Sequence, residues 1–120
     1  MRVLITDDSK AMRMIVLRTL RQTGLDIEET TEATDGKEGL AAVASFRPDL
    51  ILSDWNMPNM TGIEFLQALR ASGDGTRFGF VTSESNPAMR EQALTAGADF
   101  LVTKPFDADR LMEVIGTGAL

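Results

Sequence analysis

The chain has 120 residues, 43% of them apolar and 25% charged, which suits one domain with one core and is too short for a catalytic domain joined to a regulatory one. A net charge of −6 argues against direct nucleic-acid binding, which needs a basic surface. There is no cysteine and no histidine, which excludes disulfides, thiol chemistry, the commonest general base and the commonest metal ligand; a metal here must be held by oxygen, as Mg²⁺, Ca²⁺ or Mn²⁺ are.

The opening stretch, MRVLITDDSK, is no signal peptide, and no apolar run approaches the ~20 residues of a membrane span. A cytoplasmic location with no membrane partner is therefore expected. Val3-Leu4-Ile5 predicts a first strand that ends at Asp7-Asp8. Ser9 can then cap a helix through Leu20, with Met12, Ile15, Val16 and Leu20 at helical spacing and Gly24 just beyond. Ile27 to Ala33 alternates, is the least apolar strand, and is best placed at a sheet edge. Asp35-Gly36-Lys37-Glu38 offers an acid cap for the second helix. Leu50-Ile51-Leu52 reads as a buried strand that stops at Asp54, followed by a turn at Asn56-Met57-Pro58-Asn59. Thr61-Gly62-Ile63-Glu64 fits a capping box, Phe65, Leu66 and Leu69 continue that helix, and Gly73 follows it. Phe78 to Val81 is a fourth strand ending at Thr82-Ser83; Asn86-Pro87 starts a helix that Gly97 stops. Phe100-Leu101-Val102 leads to Lys104-Pro105. Asp107 then opens a last helix carrying Leu111, Met112 and Ile115, and residues 116–120 are expected to fray.

Five near-continuous apolar runs, each followed by a helical segment, predict an α/β fold: a five-stranded parallel sheet, doubly wound because right-handed crossovers cover both faces. Ligands in such sheets sit outside the carboxyl ends of the strands. Those ends carry Asp7-Asp8, Asp54, Thr82 and Lys104. Each has an ordinary explanation alone: Asp7 and Asp8 as acids near a helix start, Asp54 in turn chemistry, Thr82 bonding its own loop, Lys104 as a solvated charge. Their joint placement at four matching strand ends is much harder to assign to chance.

Three carboxylates and one ammonium sum to −2, which one Mg²⁺ would neutralise. A metal alone leaves Lys104 and Thr82 unexplained; a phosphoryl group explains both. A carboxylate can attack phosphorus to give an acyl phosphate, and cations and donors around the equatorial oxygens stabilise the transfer. Asp54, on the central strand, is the natural nucleophile.

With these residues in place, the chain resembles the response-regulator receiver domains. The matching segments are TDDS, SDWNMPNMTG, VTSE, AGAD and TKPF, in family order across the whole chain. The resemblance implies a flavodoxin-like sheet of order 2-1-3-4-5 and one receiver domain over residues 1–120 with no output domain. It implies Asp54 as phosphoacceptor and Mg²⁺ held by Asp8 directly, by Asp7 largely through water, by Asp54 and by the Asn56 carbonyl. It implies Lys104 and Thr82 on phosphoryl oxygens, Thr82 as a switch, and a cis Lys104-Pro105 peptide. Asn56 and Glu84 would flank the path of hydrolytic water. The implied partners are a sensor histidine kinase as donor and a downstream protein, with chemotaxis and a flagellar motor switch as the expected setting. The implied chain is a monomer that binds no nucleic acid and is no enzyme in its own right, though it promotes its own phosphorylation and dephosphorylation. The implied output surface is the fourth helix, fifth strand and fifth helix.

One position departs from the family. Three residues before Lys104 the family usually carries Tyr or Phe, whose ring turns inward on activation; here stands Leu101, and strand alternation points the neighbouring Phe100 to the other face. Three rivals remain: a flavin protein on this fold, which Asp7-Asp8 would oppose by repelling a phosphate; an aspartate phosphatase, which would need a cap and a further acid; and a receiver fold used only for docking, or in a phosphorelay outside chemotaxis.

Overall fold

The computed structural model describes residues 1–117. Strands and helices alternate: β1 (Arg2–Thr6), α1 (Lys10–Gln22), β2 (Glu29–Ala33), α2 (Gly36–Phe46), β3 (Leu50–Ser53), α3 (Gly62–Ala71), β4 (Arg77–Thr82), α4 (Pro87–Ala96), β5 (Phe100–Thr103) and α5 (Ala108–Thr117). All strand pairs are parallel and the order is β2-β1-β3-β4-β5, the flavodoxin-like topology that the resemblance implies. Register is set by Leu4 opposite Ile51, Ile51 opposite Phe78 and Phe80 opposite Leu101.

Strand alternation divides the core between the two faces. Leu4, Ile51, Phe78, Phe80 and Leu101 point toward Val43, Phe65, Leu66, Leu69 and Ala93 of α2, α3 and α4. Val3, Ile5, Leu52, Val81, Phe100 and Val102 point toward Val16, Leu20, Leu111, Val114 and Ile115 of α1 and α5. Each Phe or Leu buried in full contributes roughly 1.5–3 kcal/mol. Leu50 to Ser53 is buried at every position, whereas only Ala33 is buried in β2, so β2 takes the edge. Phe100 lies across Gly79 of the neighbouring strand: a Cβ added at Gly79 would fall within the Phe100 ring.

The capping residues do what their chemistry predicts. Ser9, Asp35, Thr61 and Asn86 accept from the backbone N–H three residues on, at 3.2, 2.8, 3.3 and 2.8 Å, and Asp107 accepts from Arg110 N–H at 2.8 Å. Glu64 reaches back to the Thr61 N–H at 3.0 Å, which completes a capping box.

Four expectations are corrected. β2 begins at Glu29 rather than Ile27, because β1 starts at Arg2 and Arg2 pairs with Glu29; Ile27 instead packs against the α1–α5 layer. α1 runs two residues past Leu20, and its Ile15 is 46% exposed because the buried stripe is Val16, Thr19 and Leu20. In α5 the stripe is Leu111, Val114 and Ile115; Met112, about 100° further round the helix, is 48% exposed. Residues 116 and 117 belong to α5, and the rest of the segment expected to fray, 118–120, lies outside the described residues.

Candidate functional site

Parallel pairing delivers the strand ends to one edge, and backbone bonds fix the residue that follows each strand. Asp7 N–H donates to the Ala33 carbonyl (3.0 Å), Asp54 N–H to Thr6 (2.8 Å) and Lys104 N–H to Thr82 (2.7 Å). Asp7 and Asp54 therefore stand side by side, one residue past the paired Thr6 and Ser53, with Lys104 reaching in from β5.

The Lys104 ammonium lies 3.3 Å from Asp7 Oδ2 and 3.7 Å from Asp54 Oδ2. All three side chains are largely shielded, at 15%, 4% and 14% exposure for Lys104, Asp7 and Asp54. Asp8 completes the cluster from the solvent side: one carboxylate oxygen from each of Asp7, Asp8 and Asp54 lies within 4.8 Å of the others. Asp7 Oδ1 accepts from Ser9 N–H at 2.9 Å, and Asp54 Oδ1 from Trp55 N–H at 2.8 Å, so both carboxylates are held in orientation. Burial pushes the Asp54 carboxyl above its ordinary value; Lys104 opposes the rise, Asp7 adds to it, the Trp55 N–H opposes it, and Asp8 adds the least. This donor set is oxygen only, crowded and net negative, and could hold a hard divalent cation such as Mg²⁺.

Three other expected residues stand at the same edge with no side-chain hydrogen bond to the cluster. Thr82 is fully buried, and its hydroxyl accepts from Glu84 N–H at 3.4 Å, the local loop bond that such a threonine can always make. Asn56 is exposed in the loop after Asp54, as is Glu84 in the loop after β4. The Lys104-Pro105 peptide is cis. Leu101 and Phe100 are both buried, on opposite faces, so no aromatic side chain stands at position 101.

The structure adds contacts that local pattern did not reveal. Arg13, one turn into α1, donates to the Asp7 carbonyl at 2.8 Å and to Glu32 at 2.9 Å, tying the β1–α1 turn to β2. Its position four residues after the Ser9 cap was the available signal. Trp55 packs behind Asp54 against Phe80, with ring centroids 4.7 Å apart. Gly62 sits so close to the Asp54 carbonyl that no side chain fits there.

The family model of the response regulator receiver domain matches residues 3–116, and the chain belongs to that family. It is a receiver domain of the two-component response regulators. A chemotaxis protein CheY from Pseudomonas aeruginosa is 39% identical over 117 residues, covering 96% of this chain and 93% of that protein. The response regulator MprA of Mycolicibacterium vanbaalenii is 36% identical over 92% of this chain, which spans only 47% of that longer protein. Among solved structures, the chemotaxis response regulator CheY4 of Vibrio cholerae superposes with a TM-score of 0.84 at 35% identity, over 98% of this chain and 97% of that one. The response regulator domain of Thermotoga maritima CheB gives 0.87 at 32% identity, over 98% and 95%.

Proposed function

We propose that this receiver accepts a phosphoryl group on Asp54 from a phosphohistidine of a sensor kinase. The N–P bond of the donor breaks, an O–P bond to the Asp54 carboxylate forms, and the donor imidazole leaves with the electron pair. The observation that carries this reading is the Lys104 ammonium held between Asp7 and Asp54 at the end of the central strand. Trp55 N–H fixes the Asp54 rotamer before the donor arrives, so little reorientation opposes attack. On this reading Lys104 exchanges its carboxylate contacts for a phosphoryl oxygen, and the Thr82 hydroxyl, which accepts from the Glu84 N–H, keeps its own O–H free to donate to another. Mg²⁺, held by Asp7, Asp8, Asp54 and the Asn56 carbonyl, would supply the charge neutralisation that three acids beside a phosphoryl group require. The domain is thus a phosphoacceptor that assists its own modification, rather than an enzyme acting on other molecules.

The output we propose is protein–protein contact through α4, β5 and α5, made by a cytoplasmic monomer in a motility pathway with a target such as a flagellar motor switch. Near end-to-end agreement with a CheY supports that setting. Similar identity to MprA supports the second reading, a receiver in a different phosphorelay. Output through a different switch geometry follows from Leu101, since the inward-turning ring is not available at that position.

The test is intact mass after incubation with Mg²⁺ and a small acyl phosphate. A gain of one phosphoryl group, absent from Asp54→Asn, is expected. No gain, or a gain that survives Asp54→Asn, refutes the assignment. Pull-downs with the phosphorylated and unphosphorylated forms then separate a motility target from another partner.

A further inference from the structure

Asp35 is more than the cap of α2. Its Oδ1 accepts from the Glu38 N–H at 2.8 Å, which is all that capping needs. Its Oδ2 is turned the other way and accepts from the Asn59 side-chain amide at 2.7 Å, across 24 residues of sequence. Asp35 is buried, and the two donors hold its carboxyl below the ordinary value, the Glu38 N–H most and the Asn59 amide next. Asn59 has a left-handed backbone, φ 63°.

The next residues lock the same junction. Gly36 N–H donates to the Met60 carbonyl at 3.0 Å, and a Cβ at Gly36 would come within 2.6–2.9 Å of Met60 atoms. The N-terminus of α2 is therefore seated directly on residues 59 and 60. At its base the same loop is closed by Gly62 N–H donating to the Trp55 carbonyl at 2.8 Å. Asn56 lies between these two fixed points. The segment that supplies Asp35 also leaves β2 at Ala33, whose carbonyl receives the Asp7 N–H. Asp7 and the Asn56 loop are thus referenced to one short stretch, 33–36.

We propose that Asp35 and Asn59 form a positioning pair that sets the β3–α3 loop, and with it the Asn56 carbonyl, in register with the acid cluster, so that divalent-cation affinity depends on a hydrogen bond that touches no ligand of the cation. The inference rests on the reading of that cluster as a Mg²⁺ site. A carboxylate–amide bond shielded at one end is directional, so losing it leaves the 59–60 junction to the Gly36–Met60 contact alone and loosens the loop without emptying the core.

The experiment is a Mg²⁺ titration of the full chain, read by fluorescence of Trp55 beside the site and by the Mg²⁺-induced rise in melting temperature. Asp35→Asn keeps an oxygen for the Glu38 cap but sets an amide against the Asn59 amide; Asn59→Gly keeps the left-handed turn and removes the donor. Both should raise the Mg²⁺ dissociation constant about 5- to 10-fold, the upper value equivalent to ~1.4 kcal/mol. Asn59→Asp alone puts two carboxylates together and should also weaken binding, although a simple gain of negative charge would strengthen it. The double exchange Asp35→Asn with Asn59→Asp restores a donor–acceptor pair at unchanged net charge and should return affinity to within about 2-fold of the original. A merely structural role would lower metal-free stability in the single variants and leave their Mg²⁺ affinity unmoved. Affinities within about 2-fold of the original in Asp35→Asn and Asn59→Gly, tighter binding by Asn59→Asp, or no recovery in the double exchange would overturn the proposal while the Mg²⁺ reading stands. Absence of Mg²⁺ binding by the unaltered chain, or binding undiminished in Asp8→Ala, overturns the Mg²⁺ reading and the proposal with it.

Discussion

At the amino-terminal edge of the sheet, cations and acids are matched. Arg2 lies 3.4 Å from Glu29, donates twice to the Phe46 carbonyl and covers the Phe46 ring, while its backbone N–H meets Asp49. Asp99 accepts from Phe78 N–H and lies 3.7 Å from Arg70. The carboxyl-terminal edge of the same strands gathers three carboxylates, two of them paired with one ammonium. One edge arranges charge to hold elements together; the other keeps an excess of negative charge. Substitutions at the two edges should therefore have opposite effects on stability, and only those at the carboxyl-terminal edge should change phosphorylation.

The largest effect is expected at Asp54. Asp54→Asn should abolish phosphorylation, yet raise the stability of the metal-free protein at neutral pH, because a charge that burial disfavours more than Lys104 compensates disappears. The sign follows from the raised carboxyl. The native state binds its proton at higher pH than the unfolded chain does, so stability falls as pH rises from about 3.9 through the raised value and stays lower above it. Urea unfolding without Mg²⁺ at several pH values measures this; a less stable Asp54→Asn at pH 7 would break the comparison.

Next comes the lifetime of the acyl phosphate. Asn56 and Glu84 are both exposed, in the loops after β3 and β4, and on the proposed reading they flank the path of hydrolytic water. The unaltered protein should lose its phosphoryl group within seconds to minutes. Asn56→Arg or Glu84→Lys should slow that loss several-fold without blocking formation, with ~10-fold equal to ~1.4 kcal/mol of barrier. Decay after donor removal is the measurement, and a half-life of hours in the unaltered protein would sink the idea.

At the opposite edge, Arg2→Ala should lower stability by about 1 kcal/mol through lost charge-assisted bonds to Phe46, with the half-exposed Glu29 pair adding little. Its phosphorylation rate should not change. A phosphorylation defect in a folded Arg2→Ala would show that the two edges are not independent.

The smallest effect sharpens the comparison on the carboxyl-terminal side, just past the end of β2. Asp35, with its carboxyl held low, contributes stability that is complete above about pH 3.9 and is lost as pH falls through its lower native value. The acid limb of a stability–pH curve should therefore be shallower in Asp35→Asn. An unchanged limb would remove Asp35 from the account.

Much of this was legible because it is local. A cap is read from one residue and its third neighbour, and all five expected caps make their bonds. Near-continuous apolar runs gave a parallel sheet, and a parallel sheet brings strand ends together whatever lies between them. Where two faces compete for one residue, pattern was weaker: Ile15 and Met112 are apolar at helical spacing yet stand in solvent, because α1 and α5 each bury a narrower stripe. α2 stops at Arg47 with φ 53°, although no glycine marks the position. Contacts that join distant segments carry no period at all. Asp35 was visible as a cap, and Asn59 as a turn residue, but nothing in the order of letters joins the two.

The interlock of Gly79 and Phe100 bears on how this chain can drift over generations. Because the ring occupies the room of the missing side chain, any replacement at 79 must meet a smaller residue at 100, or β4 and β5 must part. A change at either position is therefore constrained by the other. With Phe100 committed to the α1–α5 face, position 101 is left to settle its own identity against the α2–α4 face. An aromatic residue introduced at 101 would meet the α2–α4 face and leave this pair undisturbed.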